Sequence, residues 1–250
     1  MKTKVSREIW ETYFHYYDSI LLKFYPYIKW LNELVYIIEF YINRVHSRNI
    51  KLIELGCGTG NLIQKLMILN QKYSLAVTGI DFITSALDIA KVKAGKNAQF
   101  YKGDLGLPNM GMPEENYRKI KRYHLVTMNN ILYSLSANQR TNVIKEIKKL
   151  VHKNGYVIIS EPLEPISSRA IIKNFITNAG IYMLIKFLTS MVPHLYPLKQ
   201  VMNINRHFLE TNIPPGSDQH MLFAENGFRL DAQFHNVYMG SNSIEVYQVT

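Results

Sequence analysis

The sequence holds a single cysteine, Cys57, among its 250 residues. A disulfide framework is thereby excluded, as is any metal site built on several cysteines. No stretch of about 18 residues is free of charge, so no spanning helix is expected. No segment running from charged to apolar to small residues opens the chain, and the expectation is a cytoplasmic protein. Acid is the scarcer charge: 19 Asp and Glu stand against 29 Lys and Arg, a net charge of +10. Such a balance admits nucleic acid, anionic lipid or acidic substrates. The lysines are scattered, however. The densest patches, Arg118 to Arg122 and Lys145 to Lys153, read as solvated helix faces with a basic bias, which argues against nucleic acid. The phosphate loop G-x-x-x-x-G-K-[ST] is missing, and so is the third glycine of G-x-G-x-x-G, whose place counted from Gly56 is Asn61. What remains is 47% apolar residues, enough for the full core of one large domain with or without appendages.

Within that core one segment stands out. Ile50 to Gly60 is an apolar strand that meets an acid, Glu54, and then three alternating glycines, Gly56, Gly58 and Gly60. Glycine permits a sharp turn and a close ligand approach, and the helix expected from Asn61 to Leu69 offers unpaired N–H groups at its start. Leu75 to Ile80 reads as a second strand ending at Asp81, an acid placed to accept bonds from ribose hydroxyls. Phe82 follows and could pack on a purine face. Ala98 to Lys102 reads as a third strand leading to Gly103-Asp104-Leu105. Tyr123 to Met128 reads as a fourth, leading to Asn129-Asn130-Ile131-Leu132-Tyr133.

In this order and spacing the four segments resemble class I S-adenosylmethionine-dependent methyltransferases of small-molecule type. The resemblance covers residues 48 to 162 well and the rest only by its pattern of elements. It implies S-adenosyl-L-methionine as cofactor and S-adenosyl-L-homocysteine as product. That cofactor has no pyrophosphate, in keeping with the missing phosphate cradle. The resemblance also implies a cofactor set of Glu54, Gly56, Cys57, Gly58, Gly60, Asp81, Phe82, Asp104, Leu105 and Asn129. Asp104 takes the place of the acid that binds the adenine amino group, and Asn129 that of the polar residue near the methionine part. Cys57 reads as a small spacer. His124 departs from the usual acid before the fourth strand. No metal is implied.

Residues 5 to 46 read as two aromatic helices, with Pro26 in the first turn of the second. In related enzymes a tyrosine of such an arm lies near the cofactor's methionine. Tyr16, Tyr17 and Asp18 are candidates, with Tyr17 favoured. Thr141 to Val151 reads as an amphipathic helix with His152 and Lys153 at its negative end. Tyr156 to Ser160 reads as the fifth strand, Ser217 as a helix N-cap and Asn226-Gly227 as the matching stop. Phe228 to Tyr238 and Ser243 to Val249 read as closing strands. The fold expected is α/β: a doubly wound, seven-stranded, mostly parallel sheet with an antiparallel last strand. An N-terminal helical arm (1–46) precedes the methyltransferase domain (47–250), which carries a lid insert after the fifth strand (163–215). The insert contains an apolar run from Ala170 to Met191. It could shape the substrate pocket, add a packing layer or dimer contact, or touch a membrane peripherally.

Methyl transfer needs alignment and dryness more than a base, and no motif names a base. Position alone puts forward Tyr133, Glu161 and His207. The expected reaction is methyl transfer to the O, N or C of a small, apolar or aromatic metabolite, in the manner of secondary metabolism. The alternatives are an RNA-modifying enzyme that uses the basic surface and a cofactor-binding protein without catalysis. Oligomeric state is left open.

Overall fold

The computed structural model describes residues 7–120, 122–163, 172–174, 176–177, 179–194, 199, 203, 216–237 and 241–250. Two helices open it, α1 (Arg7–Leu21) and α2 (Tyr25–Arg44). Pro26 sits in the first turn of α2, where a missing N–H costs nothing. Strands and helices then alternate: β1 (Asn49–Leu55), α3 (Asn61–Leu66), β2 (Ser74–Asp81), α4 (Thr84–Ala94), β3 (Ala98–Lys102), α5 (Glu114–Lys119), β4 (Tyr123–Asn129), α6 (Ala137–Leu150) and β5 (Val151–Pro162). Helix α7 (Ile181–Met191) lies in the insert. Helix α8 (Gly216–Glu225) and strands β6 (Phe228–Val237) and β7 (Asn242–Val249) complete the chain.

The seven strands run in the order β3-β2-β1-β4-β5-β7-β6. Every pairing from β3 to β5 is parallel, and β7 runs antiparallel between β5 and β6. The expected antiparallel last strand is therefore present, but β6 holds the edge. Side chains alternate across the sheet and divide the core in two. Leu52, Val77, Leu125 and Ile158 pack with α2, α3 and α7 on one face. Ile53, Val126, Met128 and Val157 pack with α5, α6 and Phe223 of α8 on the other. Chain order reverses between β1 and β4, and their carboxyl ends open a crevice there, where ligands of open α/β sheets bind.

Three local expectations are corrected. Helix α6 starts earlier, at a capping box in which Ser136 N donates to Gln139 Oε1 at 3.0 Å and Ser136 Oγ caps Gln139 N. Strand β5 begins at Val151, so His152 and Lys153 are strand residues, not helix-end charges. His152 instead stacks on His124 with ring centroids 4.8 Å apart. Ser217 lies inside α8 rather than capping it. Asn226-Gly227 does end that helix, with Gly227 at φ +77°.

Candidate active site

Gly56 and Gly58 hold φ of +73° and +51°. A Cβ on Gly56 would fall 2.2 Å from Ile131 Cδ1, and one on Gly58 would fall 2.9 Å from the Phe14 ring. Neither position has room for a side chain, so backbone alone lines this turn. Gly56 N and Cys57 N both donate to Ile80 O, at 2.8 and 2.9 Å, and tie the loop to the end of β2. Asp81 continues the tie: its Oδ2 accepts from Gly58 N at 2.8 Å and its Oδ1 from Ile83 N at 2.9 Å. Burial pushes the Asp81 carboxyl up to about 6, against the pull of those N–H groups and that of Phe82.

Glu54 lies deeper in the crevice, in register with Gly79 on one side and Thr127 on the other. Burial raises its carboxyl to about 8; the Asn129 amide opposes this and the Asp81 charge adds to it. Asn129 is near enough to act on Glu54 yet outside hydrogen-bond geometry. Glu54 Oε2, Thr127 Oγ1 and both polar atoms of the Asn129 side chain are buried without a hydrogen-bond partner. Each orphaned group of this kind costs about 1–3 kcal/mol, and native interiors rarely tolerate several side by side.

The arm closes one side. Asp18 on α1 accepts from Thr59 Oγ1 at 2.8 Å and Asn61 Nδ2 at 3.0 Å, and pairs with Lys93 Nζ at 2.6 Å. Tyr17 is half-buried; its hydroxyl lies 3.4 Å from that of Tyr27, and its ring centroid 5.4 Å from that of Phe14. Tyr27 is the buried member of the pair. It accepts from Asn61 Nδ2 at 3.2 Å, and burial raises its pKa, with the charges of Glu54 and Asp18 adding to the rise. Trp30 Nε1 donates to Ser160 Oγ at 3.0 Å, and Ser160 is in register with Asn129. Sequence reasoning missed Phe14, Tyr27, Trp30 and Thr127. The Tyr-Pro-Tyr start of α2 was the available signal for Tyr27.

Across the sheet, Glu161 ends β5. Its Oε1 accepts from Ile131 N and Leu132 N, both at 2.9 Å, and its Oε2 from Tyr133 N at 3.2 Å. Burial raises Glu161 to about 7 against those three bonds. Tyr133 is buried beside it and its pKa is pushed up by burial and by the Glu161 charge. The fold thus brings Tyr133 and Glu161 together next to Asn129. Phe82 is half-buried directly after Asp81. Asp104 is exposed, accepts from Gly106 N at 3.0 Å, and is followed by buried Leu105. Gly103 N donates to Asp81 O at 3.0 Å and links the two acidic turns. His207 and most of the 163–215 insert lie outside the described residues, as does the Tyr16 side chain.

A family model described as a methyltransferase domain matches residues 46–205. The chain belongs to this methyltransferase family. Its fold is that of class I, S-adenosylmethionine-dependent methyltransferases. The ubiquinone biosynthesis O-methyltransferase of Pelagibacter ubique is 28% identical over 113 residues, which are 45% of this chain and 42% of that protein. The match therefore spans less than half of that relative. Among solved structures, magnesium protoporphyrin IX methyltransferase from Synechocystis with bound cofactor gives a TM-score of 0.56 at 13% identity, covering 90% of this chain and 80% of that one. A TehB-like methyltransferase from Corynebacterium glutamicum gives 0.53 at 14% identity, covering 84% and 85%. These likenesses concern the fold. The methyltransferase crevice itself fits the cofactor: it combines a glycine turn without side chains, buried acids, and orphaned donors and acceptors.

Proposed function

We propose that this methyltransferase modifies a small, largely apolar or aromatic acceptor. The observation that carries the reading is the Trp30–Ser160 bond. It brings an aromatic helix of the arm to the mouth of β4 and β5, beside Asn129. The rings of Phe24 of the arm and Phe187 of α7 pack at a tilt with centroids 5.1 Å apart, which extends apolar cover from the insert. Covering a large apolar side chain or ligand group contributes on the order of 2 kcal/mol, so such walls favour a ring or chain over a sugar.

We assign the cofactor's amino-acid part to Glu54 and Asn129, whose buried polar atoms need partners. Asp81 is assigned to the ribose: Gly58 N and Ile83 N hold its two carboxylate oxygens in place at the end of β2. Asp104 is assigned to the adenine amino group, Phe82 and Leu105 to its ring, and Tyr17 to the cover, acting through Tyr27. When bound, the cofactor supplies an electrophilic methyl on a leaving group that departs without help. The chain's own contribution is alignment and exclusion of water. Tyr133 is assigned to positioning the acceptor. Glu161 acts by holding residues 131–133. His207 is retained from its place in the insert. The arm and insert serve as cover and the remainder as the methyltransferase domain.

Calorimetric titration with S-adenosylmethionine tests the cofactor assignment. Asp81→Ala and Glu54→Gln should each weaken binding about tenfold or more; unchanged affinity in both would displace the site. Cell extracts incubated with methyl-labelled cofactor and partitioned into organic solvent test the acceptor. Label confined to the aqueous phase overturns the apolar reading, and label on RNA would favour a nucleic-acid modifier drawing on the +10 charge.

A further inference from the structure

Helix α7 has one partnered face and one bare face. Leu184, Phe187 and Met191 are buried in the core shared with the arm. Ile181, Ile185, Leu188 and Val192 follow one another at spacings of four, three and four, and are 65%, 54%, 53% and 63% exposed. At about 100° per residue these four fall within about 60° of helical arc, an unbroken apolar ridge turned away from the protein. Tyr182 and Lys186, both exposed, flank it one helical turn apart. The preceding helical residues repeat the pattern, with Ile172 and Ile176 exposed and Lys173 exposed between them. Between Glu164 and Glu210 the sequence has five basic residues, Arg169, Lys173, Lys186, Lys199 and Arg206, and no acid. No helix among the described residues is long and apolar enough to cross a membrane.

We propose that α7 seats the enzyme on an anionic lipid bilayer, with the Ile181–Val192 ridge among the acyl chains and the lysines at the headgroups. An apolar ridge beside cations in a helix too short to span is the pattern of a helix that lies in the interface. The charge supplies the choice of surface: a stretch with basic residues only is attracted to anionic headgroups and gains nothing from neutral ones. A protein partner would be served as well by the ridge alone. The one-signed charge over 45 residues favours lipid. The proposal does not depend on the identity of the methyl acceptor.

Co-sedimentation with vesicles tests it, using phosphatidylcholine mixed with phosphatidylglycerol against phosphatidylcholine alone. Two double variants are compared with the unaltered chain: Ile185→Asp with Leu188→Asp on the ridge, and Lys173→Glu with Lys186→Glu beside it. All four positions are exposed, and thermal melting and cofactor titration confirm that each variant keeps its fold and its cofactor site. The expected result is binding to anionic vesicles that falls at least about tenfold in each double variant and is weak on neutral vesicles. Absence of binding by the unaltered chain overturns the proposal. So does loss in only one of the two double variants, because the other signal would then suffice. A chain that elutes as a dimer, becomes monomeric in the ridge variant and ignores vesicles would assign the ridge to self-association instead.

Discussion

Glu54 is a buried acid with one oxygen lacking any partner, and this gives it a pH signature. Its folded pKa, about 8, lies above the ordinary carboxylate value of 4.5. The folded state therefore holds a proton that the unfolded chain releases above about pH 4.5. That stability is fully present below the unfolded pKa and is lost as pH rises through about 8. In cofactor-free protein, Glu54→Gln should match the parent near pH 5 and exceed it near pH 8.5, by on the order of a few kcal/mol. Chemical denaturation at the two pH values measures the difference; a gap that fails to widen with pH would mean that Glu54 is solvated. Gly58 gives a second prediction at this scale. At φ +51°, with the Phe14 ring at 2.9 Å from its missing Cβ, Gly58→Val strains the turn and displaces the arm. Cofactor affinity should drop at least tenfold, roughly the effect of 1–3 kcal/mol of backbone strain, while the melting temperature changes by only a few degrees.

Among the elements, α1 and α7 are held by different means. Three polar bonds from Asp18 latch α1 to the glycine loop and α4. Asp18→Ala should loosen the arm, seen as faster proteolysis within residues 7–21 and cofactor affinity weakened by about tenfold. Helix α7 is held by apolar contact, so Phe187→Ala should cost about 3 kcal/mol of stability and leave cofactor affinity within twofold; a large loss of affinity there would place α7 inside the cofactor site. How much of this was legible in the sequence follows the range of the forces. The glycine turn, Asp81 and the β-strand ends were readable because each is fixed by its own few residues. The early start of β5 was not, because Val151 extends by pairing with Tyr123 across the sheet, which overrode the helical pattern running through it. Tyr27 and Trp30 could be seen as aromatic but not as site neighbours. Their partners, Asn61 and Ser160, are 34 and 130 residues away.

At the scale of the whole molecule, the sheet separates two groups of buried acids. The arm, α3 and α4 cover the face that carries Glu54 and Thr127, while α5, α6 and α8 cover the face that carries Glu161. The residues proposed for cofactor and acceptor come together at the carboxyl ends of β1, β4 and β5. The strand order also sets a schedule. Strand β7 lies between β5 and β6, so residues 228–237, although made earlier, have no place in the sheet until residues 242–249 leave the ribosome. Until then β5 presents an open edge, the kind of surface that recruits other chains. A chain truncated after Val237 should be cleaved quickly by added protease, and the full 250-residue chain should resist. The antiparallel strand at the interior of the sheet thus works as a closing key, and most of the enzyme's synthesis is spent with its sheet unsealed.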